Sequence, residues 1–183
     1  MSRRVILVGA NPGVRLFDDD TVTAYASVWM VDWSIRGAGT AVVLWHDGVV
    51  RVVSEEADLA DWLTDYFVRS FPEVAGLPWR RSAVERDAVE VSMDLATGLT
   101  AAAADIRIEM SGVLDRRQFT TDDFPLATGG HDLSLVIAPL RSATISVAGK
   151  ALPGHVQVDD RPSSSAFLTT AEVWRAATVA DDK

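Results

Sequence analysis

The dipeptide Asp47-Gly48, set between the β-branched runs "TAVVLW" and "VVRVV", constrains the fold of this chain more than any other feature. Asp-Gly readily adopts the two positive φ angles of a two-residue hairpin turn, whose twist matches that of two antiparallel strands. The sequence therefore predicts an antiparallel hairpin within residues 40–54.

Alternation of apolar and polar residues predicts further strands. Residues 89–95 and 106–111 alternate strictly, a pattern typical of antiparallel strands with one face on the core and one in water. The same reasoning predicts four more strands, with turns at Gly149-Lys150 and in "DDRPSSS". These strands are residues 132–138, 142–148, 154–159 and 165–175.

One amphipathic helix is predicted at about residues 55–70, ending before Pro72. Ser54 offers a capping hydroxyl, and acidic residues follow in the first turn, where the helix dipole favours them. Five apolar residues then recur at helical spacing and predict the buried face. They are Leu59, Trp62, Leu63, Tyr66 and Phe67.

These elements predict an α+β fold that is predominantly antiparallel β. We expect a bent sheet or partly closed barrel of about 8–10 strands, covered by the one main helix. With 183 residues the chain suits a single domain spanning residues 1–183. The connection at residues 72–88 mixes Pro, Gly and charge, and is the one alternative domain boundary.

Charge and cysteine content limit the partners. The formal net charge of −9 repels nucleic acid and anionic lipid, so neither is expected as a partner. No apolar stretch approaches the length of about 20 residues that a membrane span needs. The chain has no cysteine, which excludes disulfides and thiolate sites and agrees with a cytoplasmic location. A homo-oligomer is compatible with these features.

The stretch "VILVGANPGVR" raises the question of a phosphate-binding loop. Such a loop needs a helix directly after it, whereas a β-branched stretch follows here. Three consecutive acids, Asp18 to Asp20, would also repel a phosphate. We therefore interpret Asn11-Pro12-Gly13 as a turn with a positive φ at Gly13, and expect no nucleotide or other cofactor.

Candidate catalytic and metal-binding residues form no recognisable motif. His46, His131 and His155 each lie at a predicted strand end or turn, and Asp18 to Asp20 fit a solvated acidic turn. No metal site is predicted. There is no G-x-S-x-G motif, and the sequence leaves open whether the protein is an enzyme.

Aromatic residues on the predicted strand 22–36 are the most suggestive feature. Tyr25, Trp29 and Trp33 recur at even spacing on one strand face, and Trp45 belongs to the neighbouring strand. They either line a cavity or belong to the core. Asp32, on the apolar opposite face, must be paired, exposed or functional.

A small-molecule binding module is the function that these features favour, with a largely apolar ligand inside the barrel. Trp79 and Arg80, in the 72–88 connection, would cap the pocket, or else belong to an exposed loop. One alternative is an enzyme with Asp32, Asp94 or a histidine as general base, and another is a protein-interaction domain with exposed strand edges. The candidate ligand-binding residues are Tyr25, Trp29, Asp32, Trp33, Trp45, Trp79 and Arg80.

Overall fold

A computed structural model describes residues 3–126 and 129–176. Most of these residues belong to strands. The strands are β1 Arg3–Ala10, β2 Gly13–Asp18, β3 Thr21–Ser34, β4 Gly39–His46, β5 Val49–Val53, β6 Arg80–Arg81, β7 Val89–Asp94, β8 Gly98–Ala103, β9 Ile106–Val113, β10 Arg117–Leu126, β11 Gly129–Val147, β12 Lys150–Ala151, β13 Val158–Asp159, β14 Ser163–Ser164 and β15 Ala166–Ala176.

A single large sheet runs in the order β6-β5-β4-β3-β1-β15-β11-β9-β8-β7, with β10 and β12 on β11 and β2 between β3 and β15. The long strand β11 lets the sheet bend, because its first half pairs with β15 and its second half with β9. The hydroxyl of Thr40 on β4 donates to the carbonyl oxygen of Val89 on β7 at 3.0 Å, which brings the two arms together. The result is a bent sheet that forms a partial ring, so the predicted α+β class is confirmed.

The predicted hairpin turn is confirmed at Asp47-Gly48, where φ is 50° and 75°. A second turn of this kind joins β11 to β12, but it lies at Ala148-Gly149 rather than at Gly149-Lys150. Asp19, with φ of 48°, turns the chain between β2 and β3. These short turns fix the antiparallel register of their strands.

The helix predicted at 55–70 is present and begins two residues later. It comprises α1 (Ala57–Trp62), a π-helical turn (Leu63–Phe67) and a 3₁₀ turn (Val68–Ser70). The prediction that Ser54 caps the helix is wrong, because Glu56 holds the capping position and its side chain makes no capping hydrogen bond. The Ser54 hydroxyl instead donates to the carbonyl oxygen of Thr40 at 2.7 Å. No helix in the described part of the chain is long and apolar enough to cross a membrane.

Two apolar clusters lie on opposite faces of the strands β3 and β4. The interior cluster fills the ring and includes Ala24, Ala26 and Val28 of β3 together with residues of β7, β8, β9 and β11. The helix-side cluster lies on the outer face and includes Tyr25 and Trp29 of β3 with the buried residues of the helix. Strand β3 is central, which explains why both of its faces are apolar.

The Asn11-Pro12-Gly13 stretch is not a turn. The register Ala10↔Met30 on one side of this stretch continues as Gly13↔Ser27 on the other, so β1 and β2 form one interrupted strand. Gly13 does not have a positive φ. Asn11 donates its amide N–H to Thr169 at 2.9 Å, and the carbonyl oxygen of Pro12 accepts from Val28 at 2.9 Å. The neighbouring strands thus hold the backbone extended through a sequence that suggests a turn.

Several predicted strand boundaries are wrong. The strands predicted at 132–138 and 142–148 are parts of β11, and only Val158–Asp159 of the predicted 154–159 strand is a strand. Strands β8 and β10 were not predicted. Strand β10 escaped prediction because most of its side chains are exposed, so the chain shows no apolar alternation there.

The 72–88 connection is tied to the sheet. Arg80 pairs with Val49 in the parallel pairing of β5 with β6, and the amide of Glu85 donates to the carbonyl oxygen of Val52 at 2.8 Å. Arg81 forms ion pairs with Asp61 and Asp65 of the helix. This segment therefore fixes the helix relative to the edge of the sheet.

Candidate functional site

An apolar cavity of about 440 Å³ lies on the helix side of the sheet. Its lining includes no residue of the interior cluster. The ring interior is filled by side chains, so the expectation that a cavity lies inside the barrel is not met. The cavity instead lies between the outer face of the sheet, the helix end and the β10–β11 hairpin.

The floor of the cavity comes from one face of neighbouring strands. Side chains of a strand alternate between the two faces of a sheet, and the lining residues of β11 and β15 follow this spacing of two. Strands β1 and β3 contribute residues from the same face. The floor residues are Leu7, Tyr25, Trp29, Leu133, Leu135, Ile137, Phe167, Thr169, Ala171 and Val173.

Aromatic side chains form the wall at the end of the helix. The Trp29 ring meets Phe67 edge-on at a centroid distance of 5.5 Å and stacks on Phe71 at 6.3 Å. Phe71 also approaches Phe124 of β10 at 6.5 Å. These contacts join the sheet, the helix and the hairpin around one apolar space.

The few polar groups of the lining are satisfied mainly within the fold. The side-chain amide of Asn11 donates to the hydroxyl of Ser27 at 2.8 Å and to the carbonyl oxygen of Val28 at 3.0 Å. The Thr169 hydroxyl donates to the carbonyl oxygen of Thr170 at 2.6 Å. Asn11 is buried at the interruption between β1 and β2, where the hydrogen bonds of its side chain replace the regular backbone hydrogen bonds between strands.

Tyr25 remains a neutral phenol at the cavity. Burial raises its pKa above the usual value of 10.0, and the nearby Glu73 carboxylate raises it further, while a hydrogen bond with Ser27 and the charge of Arg15 act in the opposite direction. Tyr25 therefore carries no charge at neutral pH, and its hydroxyl group is already hydrogen-bonded with Ser27.

This raised pKa predicts a loss of stability in alkaline solution. Above pH 10 the unfolded chain releases the Tyr25 proton while the folded chain retains it, so folding stability falls with rising pH, by up to about 1.4 kcal/mol per pH unit. Urea unfolding between pH 8 and pH 11 measures this slope. The slope should be smaller in Tyr25→Phe, and equal slopes for parent and variant would contradict the assignment.

The indole nitrogen of Trp29 is the unsatisfied polar atom of the cavity. Trp29 is 1% exposed, and its buried Nε1 has no hydrogen-bond partner among the described residues. In contrast, Nε1 of the buried Trp45 donates to the carbonyl oxygen of Pro78 at 2.7 Å. Buried donors are nearly always paired, so Trp29 differs from its neighbour in having a free donor.

The more exposed part of the lining carries the charges. Glu73, which is half-buried, follows the helix end, and the exposed Arg117, Gln118 and Phe119 belong to β10. The guanidinium of Arg117 donates to the carbonyl oxygen of Pro162 at 2.9 Å and to the carboxylate of Asp115 at 3.4 Å. Polar groups thus surround the open side, and the deeper lining is apolar.

The structure places two of the predicted ligand-binding residues, Tyr25 and Trp29, on the cavity. Trp33 and Asp32 lie outside the cavity, and both are exposed. The register of β1 against β3 shifts by one residue between the pairs Val8↔Trp33 and Gly9↔Val31, so Trp33 lies on the opposite face of the sheet from Trp29. The expectation that Trp33 shares a face with Trp29 is therefore wrong, and of the three alternatives for Asp32 the structure shows the exposed one.

The remaining predicted residues also lie off the cavity. Trp45 belongs to the helix-side cluster, and Trp79 packs at its border with the Arg69 guanidinium 5.0 Å from its ring centroid. Arg80 is exposed on β6. The structure thus uses Trp79 for packing and does not place Arg80 at the mouth of the cavity.

Sequence reasoning missed the phenylalanines of the lining. All the phenylalanines except Phe17 line the cavity, five of the six in the chain. A detectable signal was the alternation of Leu133, Leu135 and Ile137 and of Phe167, Thr169, Ala171 and Val173 within strands that were predicted. The contribution of Phe119 and Phe124 could not be seen, because β10 was not predicted.

The three histidines lie apart. Nδ1 of His46 donates to the carbonyl oxygen of Thr23 at 2.9 Å, Nε2 of His131 contacts the Tyr66 hydroxyl at 3.1 Å, and His155 is exposed. Within residues 3–126 and 129–176, no group of three or more His, Asp or Glu residues could hold a metal ion.

A second depression of about 600 Å³ lies beside Arg15 and His155. Its walls are mostly polar residues of the 155–165 segment, several of them exposed. The hydroxyl groups of Ser164 and Ser165 already donate to backbone carbonyl groups of Leu140 and Arg15. The aromatic cavity is therefore the better candidate for a ligand site.

Comparisons with models of protein families, with curated proteins and with solved protein structures found no match to this chain.

Proposed function

We propose that the protein binds a small, largely apolar molecule in the cavity between the helix end and the β10–β11 hairpin. The main support for this proposal is that five phenylalanine side chains line one space of about 440 Å³. They are Phe67, Phe71, Phe119, Phe124 and Phe167. Ligand sites are typically concave, mostly apolar spaces of about 300–1,000 Å³ with few polar groups.

The distant origin of these side chains supports binding over simple core packing. The helix end, β10 and β15 each supply apolar side chains to the lining, and the space that they enclose opens to solvent on one side, as a ligand site must. A ligand that fills this space would remove its apolar surface from water and gain contacts with the aromatic rings. Asp32 and Asp94 are exposed outside the cavity, so the proposal is limited to binding.

The test uses the neutral fluorescent probe N-phenyl-1-naphthylamine. We expect the parent protein to enhance the fluorescence of the probe, and the probe to raise the melting temperature by mass action. Ala171→Leu adds volume to the cavity floor and should weaken probe binding at least tenfold. The matched control is Ala102→Leu, at a half-buried alanine of β8 that does not line the cavity, and it should bind as the parent does.

Absence of probe binding by the parent, or equal binding by Ala171→Leu, would count against the proposal and favour the interaction-domain alternative. A cytoplasmic location and a homo-oligomeric state stay predictions from the sequence.

A further inference from the structure

We propose that the ligand of the cavity is an organic cation, an apolar molecule with one ammonium group, whose positive charge lies beside the Glu73 carboxylate and whose apolar body lies among the aromatic rings. This inference rests on the proposed binding function and adds the chemical class of the ligand.

The first support is an unpaired carboxylate in the lining. Glu73 is half-buried and lines the cavity together with the two residues before it, Phe71 and Pro72. Within residues 3–126 and 129–176, its carboxylate makes no hydrogen bond and no ion pair. Both carboxylate oxygens keep some accessible surface. A ligand group can therefore reach this charge without displacing a protein partner.

The second support is the sign of the charge at the floor of the cavity. The Glu73 carboxylate raises the pKa of the Tyr25 phenol, and the Arg15 guanidinium lowers this pKa by a smaller amount. Arg15 lines the second depression and not the cavity. A nearby charge stabilises the opposite charge. Because the carboxylate has the larger effect at the floor, the surroundings of Tyr25 favour a cation over an anion.

The positive group of the lining is already compensated. Among the described residues that line the cavity, Arg117 is the one cationic side chain. Its guanidinium donates to the carbonyl oxygen of Pro162 at 2.9 Å and pairs with the Asp115 carboxylate at 3.4 Å. An anionic ligand would compete with Asp115 and would also meet the Glu73 carboxylate. The net charge of −9 attracts cations to the open side in the same way.

The third support is the aromatic lining itself. Tyr25, Trp29 and the five phenylalanines named above supply rings to the cavity. The face of an aromatic ring carries partial negative charge and attracts organic cations, most strongly where water is excluded. A carboxylate near the open side, with aromatic rings below it, thus suits an ammonium group on an apolar body. A plain hydrocarbon would use the rings alone.

The test compares three ligands of similar size that differ in charge. They are phenyltrimethylammonium, its neutral isostere tert-butylbenzene, and the anion benzenesulfonate. Calorimetry with the parent at pH 8 and low ionic strength should show phenyltrimethylammonium binding at least about tenfold more tightly than benzenesulfonate, because only the cation gains a counter-charge from the lining.

Glu73→Gln removes the charge and keeps the shape of the side chain. It should weaken phenyltrimethylammonium about three- to tenfold, as expected for the loss of one partly exposed counter-charge. Binding of tert-butylbenzene should change less than about twofold, since it depends on apolar contacts. Glu55→Gln is the matched control, because Glu55 is exposed outside the cavity and its replacement makes the same change in net charge. It should change neither affinity by more than about twofold.

A measurement on the parent protein needs no variant. Raising the ionic strength from about 0.01 M to about 0.5 M screens partly exposed charges. It should weaken phenyltrimethylammonium at least about threefold and should not weaken tert-butylbenzene.

The outcomes separate the two proposals. If the probe and tert-butylbenzene bind, the inference is wrong and the binding function stands in any of three cases. These are that benzenesulfonate binds as tightly as phenyltrimethylammonium, that salt does not weaken the cation, or that Glu73→Gln weakens the cation no more than Glu55→Gln does. If neither the probe nor any of the three ligands binds, both proposals are wrong.

Discussion

Phe67→Ala should lower the free energy of unfolding by about 3–5 kcal/mol, the usual cost of truncating a buried phenylalanine. Phe67 is 1% exposed, and its ring meets those of Trp29, Trp62 and Tyr66 edge-on at 5.1 to 5.5 Å. Its removal would enlarge the existing cavity and separate the helix from the sheet. Urea unfolding of the parent and variant measures the loss.

The matched control is Phe119→Ala, the same chemical change at a ring that is 50% exposed. Its cost should be less than about 1 kcal/mol, because little apolar surface returns to water. Similar losses at the two positions would mean that the helix is not packed through Phe67 as described.

Gly9→Ala should cost about 3 kcal/mol or more. Gly9 lies in β1 directly against β3, and a Cβ atom there would overlap the carbonyl oxygen of Met30. Overpacking costs about 1–3 kcal/mol where side chains can adapt, and here the obstacle is backbone in the middle of the sheet. Chemical unfolding, or the yield of folded protein if the variant is too unstable, measures the effect.

Gly130→Ala is the control for this prediction. Gly130 is an exposed residue of β11 without a positive φ, and an added Cβ would make only an ordinary contact of 3.4 Å with the Asp123 carboxylate. Its stability should stay within about 0.5 kcal/mol of the parent value. If Gly9→Ala were as stable as the parent, the backbones of β1 and β3 could not lie as close together at Gly9 and Met30 as described.

The site could be predicted from the sequence only in part. Tyr25 and Trp29 were recognisable because they are four residues apart, which is two periods of the strand alternation, on a strand with two apolar faces. Phe71 and Phe124 were not, since neither lies in an element with a periodic apolar pattern. Their role depends on where the chain returns after the helix and after β9, which is set by packing between distant segments.

By itself the sequence determined the local elements and the class of the fold. The turn at Asp47-Gly48, the helix at 57–70 and the central position of β3 follow from backbone preferences and from the spacing of apolar residues, which act between near neighbours in the chain. Only the tertiary structure decided that Asn11-Pro12 continues a strand, that Trp33 turns outward, and that the cavity lies outside the ring. Each depends on pairing with residues far along the chain, such as Thr169, Val8 and Phe124. Such pairing can override a local turn preference or shift a strand register by one residue, and that shift moves a side chain to the other face.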